Sequence, residues 1–310
     1  MFKEQRQMEF VAETMIDYTP IFTKKINSFK ESFEFKGIFG IDNPKINPGR
    51  AYNNLSSIEP KAIGRTFVCG DTHGKHDFNK LRKWQEGKTL TKDDVVIQLG
   101  DFGFIWERLG KNKDQEYWLN WLANRKYTLL VILGNHENYD EIETLPYTEM
   151  FGGQVQYYES IGRFGINRIY FAKRGEIYTI NGKTFWAFGG ALSVDKDSRT
   201  LGISYWEQEL PSYAEYEYGM KSLDKVNWEV DYVISHTCPS IIIGDIINRT
   251  PYTEGKFKDP VAEYFTEIYK QLVFNEWHFG HFHEDMALDY KNTNDGLFKC
   301  HYNNEPFELS

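Results

Sequence analysis

Beyond residue 64 the chain repeats one pattern, a short apolar run that closes on a small polar cluster: "RTFVCGDTHG", "DVVIQLGDFG", "TLLVILGNHE", "VDYVISHTCP" and "EWHFGHFHED". Runs this apolar predict strands covered on both faces. Between them, "HDFNKLRKWQEG" and "DQEYWLNWLANRK" carry helical spacing, so a layered α/β core is expected. Between the third and fourth runs, "RIYFAKRGEIYTINGKTFWAFGGAL" reads as hairpin strands with a turn at Asn181-Gly182, and "SYAEYEYGMKSLDKVNWEV" as the helix that follows. No internal repeat or low-complexity tract interrupts the pattern.

The first 64 residues are different. Apolar residues at Phe10, Val11, Met15 and Ile16 are spaced like one face of a short helix. "IDNPKINPGRAYNNLSSIEPKAIG", with three prolines and little apolar content, reads as a linker or extended arm. A boundary near Gly64 is therefore expected, with residues 1–64 an N-terminal extension and residues 65–310 the folded domain. At 41% hydrophobic and 16% aromatic, 310 residues are ample for a packed core.

Charge and cysteine usage narrow the setting. A net charge of -9 and a pI near 5.5 give no broad basic field, which weighs against unassisted binding to nucleic acid. Cys69, Cys238 and Cys300 are an odd number without a C-x-x-C spacing, so neither a disulfide framework nor a cysteine zinc knuckle is expected. The charged first residues lack the apolar core of a secretory signal, and no stretch approaches the roughly 20 apolar residues of a membrane span. A cytoplasmic protein without membrane association is expected.

In open α/β sheets, ligands bind where strands end at their carboxyl side, so the closing clusters should converge. They bring Asp71 and His73, then Asp101, Asn135 and His136, then His236, His281 and His283. Imidazoles mixed with carboxylates suit divalent zinc, manganese, iron or nickel. There are too many ligands for one tetrahedral site, and two ions sharing one carboxylate is the economical arrangement. Gly70, Gly100, Gly134 and Gly280, before four of the five clusters, would let the backbone leave its strand sharply and approach the ions closely. Taken singly the motifs are weak: Asp-x-His is more often a solvated turn, and Gly-Asn-His-Glu fits a helix cap equally well. Five such coincidences in one order are implausible.

With GD-T-H-G, GD-F-G, GNHE, S-H-T and G-H-F-H in this order, the chain resembles the calcineurin-like metallophosphoesterase superfamily from roughly Arg65 to His283 and beyond. The resemblance implies an α/β fold, a mixed β-sandwich flanked by helices. It implies that Asp71, His73 and His283 hold one ion, that Asn135, His236 and His281 hold the other, and that Asp101 bridges them, with manganese favoured. Two ions about 3.5 to 4 Å apart would hold a hydroxide and neutralise the oxygens of an in-line displacement. Asn135 would also offer an N–H to a phosphoryl oxygen. His136 would stay off the metals and, as a cation near neutral pH, protonate the departing oxygen. Asp101, Asn135 and His136 are thus the expected catalytic set.

Protein serine/threonine phosphatases of this superfamily carry an Asp and an Arg where "GDFGFIWER" has Phe104 and Ile105, so a close protein phosphatase is not expected. Another group must then orient His136, and Glu107 and Glu137 are candidates. The substrate-gripping cation is sought in "GGALSVDKDSRTLGISYW", where Arg199, able to hold phosphate bidentately, is favoured over Lys196. A solvated loop with internal ion pairs is an equal alternative there. Trp106, Tyr205 and Trp206 could stack a nucleobase but are more often core residues, and Cys69 and Cys238 read as packing residues. The expected function is a phosphoesterase for a phosphorylated small molecule or nucleotide. A cyclic-nucleotide phosphodiesterase or nuclease, and a metal-binding scaffold of slight activity, are the alternatives. The arm could cover the site, join subunits or contact a protein partner.

Overall fold

The computed structural model describes residues 64–162, 165–249, 259–289 and 296–310, all within the compact unit Ala62–Ser310. The helix face expected at Phe10, Val11, Met15 and Ile16, and the arm before Gly64, lie outside the described residues. In chain order come β1 (Thr66–Cys69), α1 (Asn79–Arg82), β2 (Val95–Leu99), α2 (Lys113–Ala123), β3 (Thr128–Ile132), α3 (Tyr139–Ile142), β4 (Tyr147–Met150), β5 (Gly153–Gly162) and β6 (Gly165–Ala172). There follow β7 (Glu176–Ile180), β8 (Lys183–Phe188), α4 (Tyr213–Lys225), β9 (Tyr232–Ser235), α5 (Ser240–Arg249), α6 (Pro260–Tyr269), β10 (Glu276–Phe279), β11 (Met286–Asp289), β12 (Leu297–Cys300) and β13 (Phe307–Glu308).

The strands form two mixed sheets, β13-β1-β2-β3-β6-β5-β4 and β11-β12-β10-β9-β8-β7. Neighbours within β1-β2-β3-β6 and within β8-β9-β10-β12 run parallel, and the antiparallel pairs lie toward the edges. Alternation explains why β1, β2, β3 and β9 are buried along their whole length. Val68, Ile97, Leu130 and Ile132 face the second sheet and meet Tyr178, Ile180, Phe185 and Ile234 there. Phe67, Val96, Leu129 and Val131 face the other way, onto Leu81 of α1, Trp84, and Leu119 and Leu122 of α2. The far face of the second sheet carries an aromatic layer in which Trp186, Phe265, Trp277 and Phe298 meet ring to ring. The architecture is the expected α/β sandwich, a core between two sheets with a helical layer outside, each buried aliphatic side chain contributing about 1.5–3 kcal/mol.

Local chemistry fixes the element ends. Asn112 caps α2 by accepting from the N–H groups of Asp114 and Gln115, and Ser212 with Glu215 forms a capping box on α4. Asn181 (φ 50°) and Gly182 (φ 81°) make the expected β7–β8 turn, with Ile180 opposite Lys183. The segment "HDFNKLRKWQEG" departs from the expected helix: a four-residue turn is followed by a tighter one at Glu86–Lys88. Phe78, Leu81 and Trp84 turn inward at intervals of three, which suits a tighter coil than an α-helix, and Phe78 supplies no side-chain cap. No described helix is long and apolar enough to cross a membrane.

Two glycines bring distant strands together at the carboxyl ends. A Cβ on Gly134, after β3, would lie 2.2 Å from the backbone nitrogen and the Oδ1 of Asp101, after β2. A Cβ on Gly280, after β10, would lie 2.2 Å from Oδ1 of Asp71, after β1. Gly134→Ala should therefore displace Asp101 and cost roughly 1–3 kcal/mol. Chemical denaturation and elemental analysis would show it, and wild-type stability with wild-type metal content would mean that the close approach is dispensable.

Candidate metal centre

The carboxylate and imidazole atoms of Asp71, His73, Asp101 and His283 lie within 4.8 Å of one another, as do those of Asp101, His236 and His281. Asp101 belongs to both groups and faces them with different oxygens. Its Oδ2 is 3.2 Å from His73 Nε2, and its Oδ1 is 3.2 Å from His236 Nε2. His283 Nε2 is 3.4 Å from Asp71 Oδ2. Asn135 joins the second group through Oδ1, 3.0 Å from His236 Nε2. His136 stands beside the cluster, its Nε2 4.0 Å from Asp101 Oδ2.

The loops that carry these residues are stitched to one another. Thr72 and His73 donate their backbone N–H groups to the Asp101 carbonyl at 3.1 and 2.8 Å. The backbone N–H of His136 donates to Asp101 Oδ1 at 2.8 Å, and that of His281 to Asp71 Oδ1 at 3.0 Å. His73, Asp101, His281 and His283 all have left-handed backbone, with φ of 42°, 50°, 70° and 53°. Such residues cost on the order of 1–2 kcal/mol each and persist only where their surroundings hold them.

Partners behind the imidazoles fix which nitrogen faces inward. His73 Nδ1 is 2.7 Å from Asp77 Oδ2, and His236 Nδ1 is 2.7 Å from the Leu99 carbonyl. With Nδ1–H donating outward, each Nε2 faces the centre and offers a lone pair once a metal ion displaces its proton. Asn135 Nδ2 donates to Ser193 Oγ at 3.0 Å, and Ser193 in turn donates its hydroxyl and its N–H to Glu209 at 2.6 and 2.8 Å. One amide N–H expected for substrate is therefore held by Ser193, which aims Oδ1 inward and leaves the other N–H. Asp77, Ser193 and Glu209 were not apparent from the sequence. Only Asp77, four residues after His73, had a local spacing that could have shown it.

Neither carboxylate expected to orient His136 does so. Glu137 is fully buried and accepts from the backbone N–H groups of Phe102, Gly103 and Gly134 at 2.7, 3.2 and 3.3 Å, locking the loops after β2 and β3 together. Glu107 is exposed and accepts from Asn112 Nδ2. Arg199 instead approaches the His136 ring, with Nη2 3.4 Å from Nε2. Arg199 is held by Asp195 Oδ1 at 2.7 Å and the Ser204 carbonyl at 3.0 Å, so it combines the internal ion pair of a surface loop with one nitrogen aimed at the centre. Lys196 is exposed. Trp206 is core and donates Nε1–H to Asp140, Trp106 packs edge-on against it, and Tyr205 is half-buried. Phe104 and Ile105 are buried core residues.

Charge follows from this packing. Burial opposes ionisation of Asp101 and Asp71, but the imidazoles of His236, His73, His136 and His283 outweigh it and hold both carboxyls below the usual range. Burial likewise opposes charging His73 and His236, yet Asp101 and Asp71 lift each to about 9. Desolvation and the neighbouring His236 push the half-buried His281 down to about 3. Burial and then, against the pull of Asp101, the Arg199 charge lower the pKa of His136, so the neutral imidazole rather than the expected cation prevails near pH 7. Two buried anions ringed by inward-facing imidazole nitrogens and an amide oxygen fit divalent transition ions. Cys69, Cys238 and Cys300 are buried free thiols and enter neither ligand group.

Among curated proteins none matches this chain. The family model for calcineurin-like phosphoesterases matches residues 64–284, which spans every strand from β1 to β10 and every candidate ligand. The chain belongs to the calcineurin-like phosphoesterase family.

Proposed function

We propose that this protein hydrolyses the phosphate ester of a small molecule or nucleotide at a pair of divalent ions, manganese being favoured. The observation that carries the reading is the Asp101 carboxylate, which offers one oxygen to each of two ligand groups. Asp71, His73 and His283 would complete one site, and Asn135, His236 and His281 the other. Bound there, the ions would supply the Lewis acidity that activates water and neutralises phosphoryl oxygens. The chain's own residues do the rest. Arg199, anchored by Asp195, presents Nη2 to a phosphoryl oxygen without having to be ordered first. The second N–H of the Asn135 amide adds a neutral donor on the same group.

His136 is placed to take part in leaving-group departure. A phosphoryl dianion near Nε2 raises the affinity of the imidazole for a proton, offsetting the burial and the Arg199 charge that lower it in the free protein. The proton then passes to the departing oxygen. The net charge of -9 favours a small substrate over a polyanion. Residues 1–64 are proposed as an extension outside this chemistry, available for self-association or a protein partner, and the protein as cytoplasmic.

The test is turnover of phosphomonoesters, diesters, cyclic nucleotides and phosphopeptides by purified protein loaded with manganese; no hydrolysis of any of them would refute the proposal. His136→Ala should keep its metal content while kcat falls about 10²- to 10⁴-fold, most steeply for esters with poor leaving groups. An unchanged rate would remove His136 from the mechanism. In metal titrations followed by mass spectrometry, Asp101→Asn should lose both ions and His283→Ala chiefly one. Equal losses in the two variants would contradict a shared carboxylate. Ser193→Ala should weaken metal binding about 10- to 100-fold by freeing the Asn135 amide, and wild-type affinity would show that Asn135 needs no such support.

A further inference from the structure

Two cavities open on His136, and they differ in chemistry. One is lined by His73, His76, Gly103, Trp106, His136 and Arg199 and is rich in donors and cations. The other, of about 190 Å³, starts at Asp101, Asn135, His136, His281 and His283 and runs away from them along Leu192, Val194, Ile243, Ile246, Ile247 and Phe282. Five of those six are aliphatic, and three, Ile243, Ile246 and Ile247, come from α5, whose sequence is "SIIIGDIINR". A dry apolar cavity of roughly 150 Å³ accommodates benzene, so this one has room for a substituted ring.

Three polar residues interrupt the apolar wall, Asp195, Thr237 and Asp259, and Asp195 already accepts from Arg199 Nε at 2.7 Å. Thr237 also lines the cavity; it is fully buried, and its Oγ1 has no hydrogen-bond partner among the described residues. Asp259, which lines the same cavity, is committed as the cap of α6, accepting from the Val261 N–H at 2.9 Å. A buried hydroxyl without a partner is uncommon and points to a group that supplies one.

We infer that this slot takes the alcohol portion of the substrate ester, and that this portion is an aryl or branched alkyl group carrying one hydrogen-bonding atom that meets Thr237. The inference rests on the phosphoesterase reading, since it places the phosphoryl group at the candidate ligands where the slot begins. In the reaction, water adds to phosphorus, the ester P–O bond breaks, and the apolar alcohol leaves with a proton. A sugar or glycerol in the slot would set several hydroxyls against isoleucine side chains, where the two lining carboxylates already accept from Arg199 and from the Val261 N–H, which is unfavourable. The donor-rich cavity on the other side of His136 suits the phosphoryl oxygens and any polar substituent.

The decisive measurement is binding of non-hydrolysable phosphonates to the manganese-loaded protein, with kcat/KM for the matching phosphate esters in parallel. Benzylphosphonate should bind at least ~10-fold more tightly than methylphosphonate, a ratio in the range a few apolar carbons contribute in a hydrophobic pocket. Val194→Asp, at an exposed position of the rim, should bring that ratio to within about threefold of unity. Ile247→Asn gives a second reading of the same wall should the first variant prove insensitive. Thr237→Val should lower the preference for hydroxybenzyl- over benzylphosphonate. A wild-type ratio near unity, or a ratio that neither wall variant changes, overturns the inference. Failure to hydrolyse any ester would instead refute the phosphoesterase reading, and the phosphonate ratios would still decide whether the slot selects apolar groups.

Discussion

The burial of the Asp101 carboxylate is the constraint that organises this protein. Asp71 and Asp101 are 0% and 1% exposed and carry charge within one cluster, although burying an anion costs several kcal/mol unless it is paired and hydrogen-bonded. The backbone N–H groups of His136 and His281 meet part of that need, and the imidazoles meet more. None of these partners can reach the carboxylates unless five loops, those after β1, β2, β3, β9 and β10, crowd into one small volume. The glycines after β3 and β10, and the left-handed backbone at four of the ligand positions, are the local cost of that crowding. An assembly that already gathers imidazole nitrogens and an amide oxygen around buried negative charge is one that a divalent cation can complete by displacing the imidazole protons.

Much of the fold was legible because β1, β2, β3, β9 and β10 are nearly continuous apolar runs, and such runs have few other destinations. The strands β4 and β5 did not stand out in the sequence. They are the last two strands at one end of their sheet, and their exposure alternates or is partial, so that "YTEM" and "GQVQYYESIG" carry too many polar residues to read as buried strands. The helix α5 was hidden for the opposite reason, since a β-branched run such as "SIIIGDIINR" has no clear helical signature of its own. Tertiary packing decided both cases.

The candidate ligands could be read from the sequence because each follows a strand, whereas the groups that aim them could not. Ser193 supports Asn135 from 58 residues away, and the Leu99 carbonyl fixes the His236 ring from 137 away. Glu137 illustrates the limit. Its place beside His136 suggested an orienting carboxylate, but full burial turned it toward three backbone N–H groups, and only a folded backbone could have shown that.

A buried arginine extends this framework and shows where it stops. Arg174, in the turn between β6 and β7, donates to the Tyr139 hydroxyl at 2.7 Å and to the carbonyls of Gln208 and Gly189 at 2.6 and 3.1 Å. Tyr139 passes that restraint on by donating to the Gly134 carbonyl at 2.6 Å, at the root of the Gly-Asn-His-Glu loop. Ser193 is tied into the same framework through Glu209, whose carbonyl also accepts from Arg174. Immediately beyond Ser193 the chain changes character: Val194, Leu201 and Ile203 are each about 60% exposed or more, and Arg199 is held chiefly within its own loop. One segment therefore serves two purposes, divided at a single residue. Up to Ser193 it positions a candidate ligand, and a change there disturbs the buried network. After Ser193 the largely exposed stretch from Val194 to Ile203 carries Arg199, the group proposed to face a substrate, and a change there leaves the hydrogen-bonded framework behind Ser193 in place.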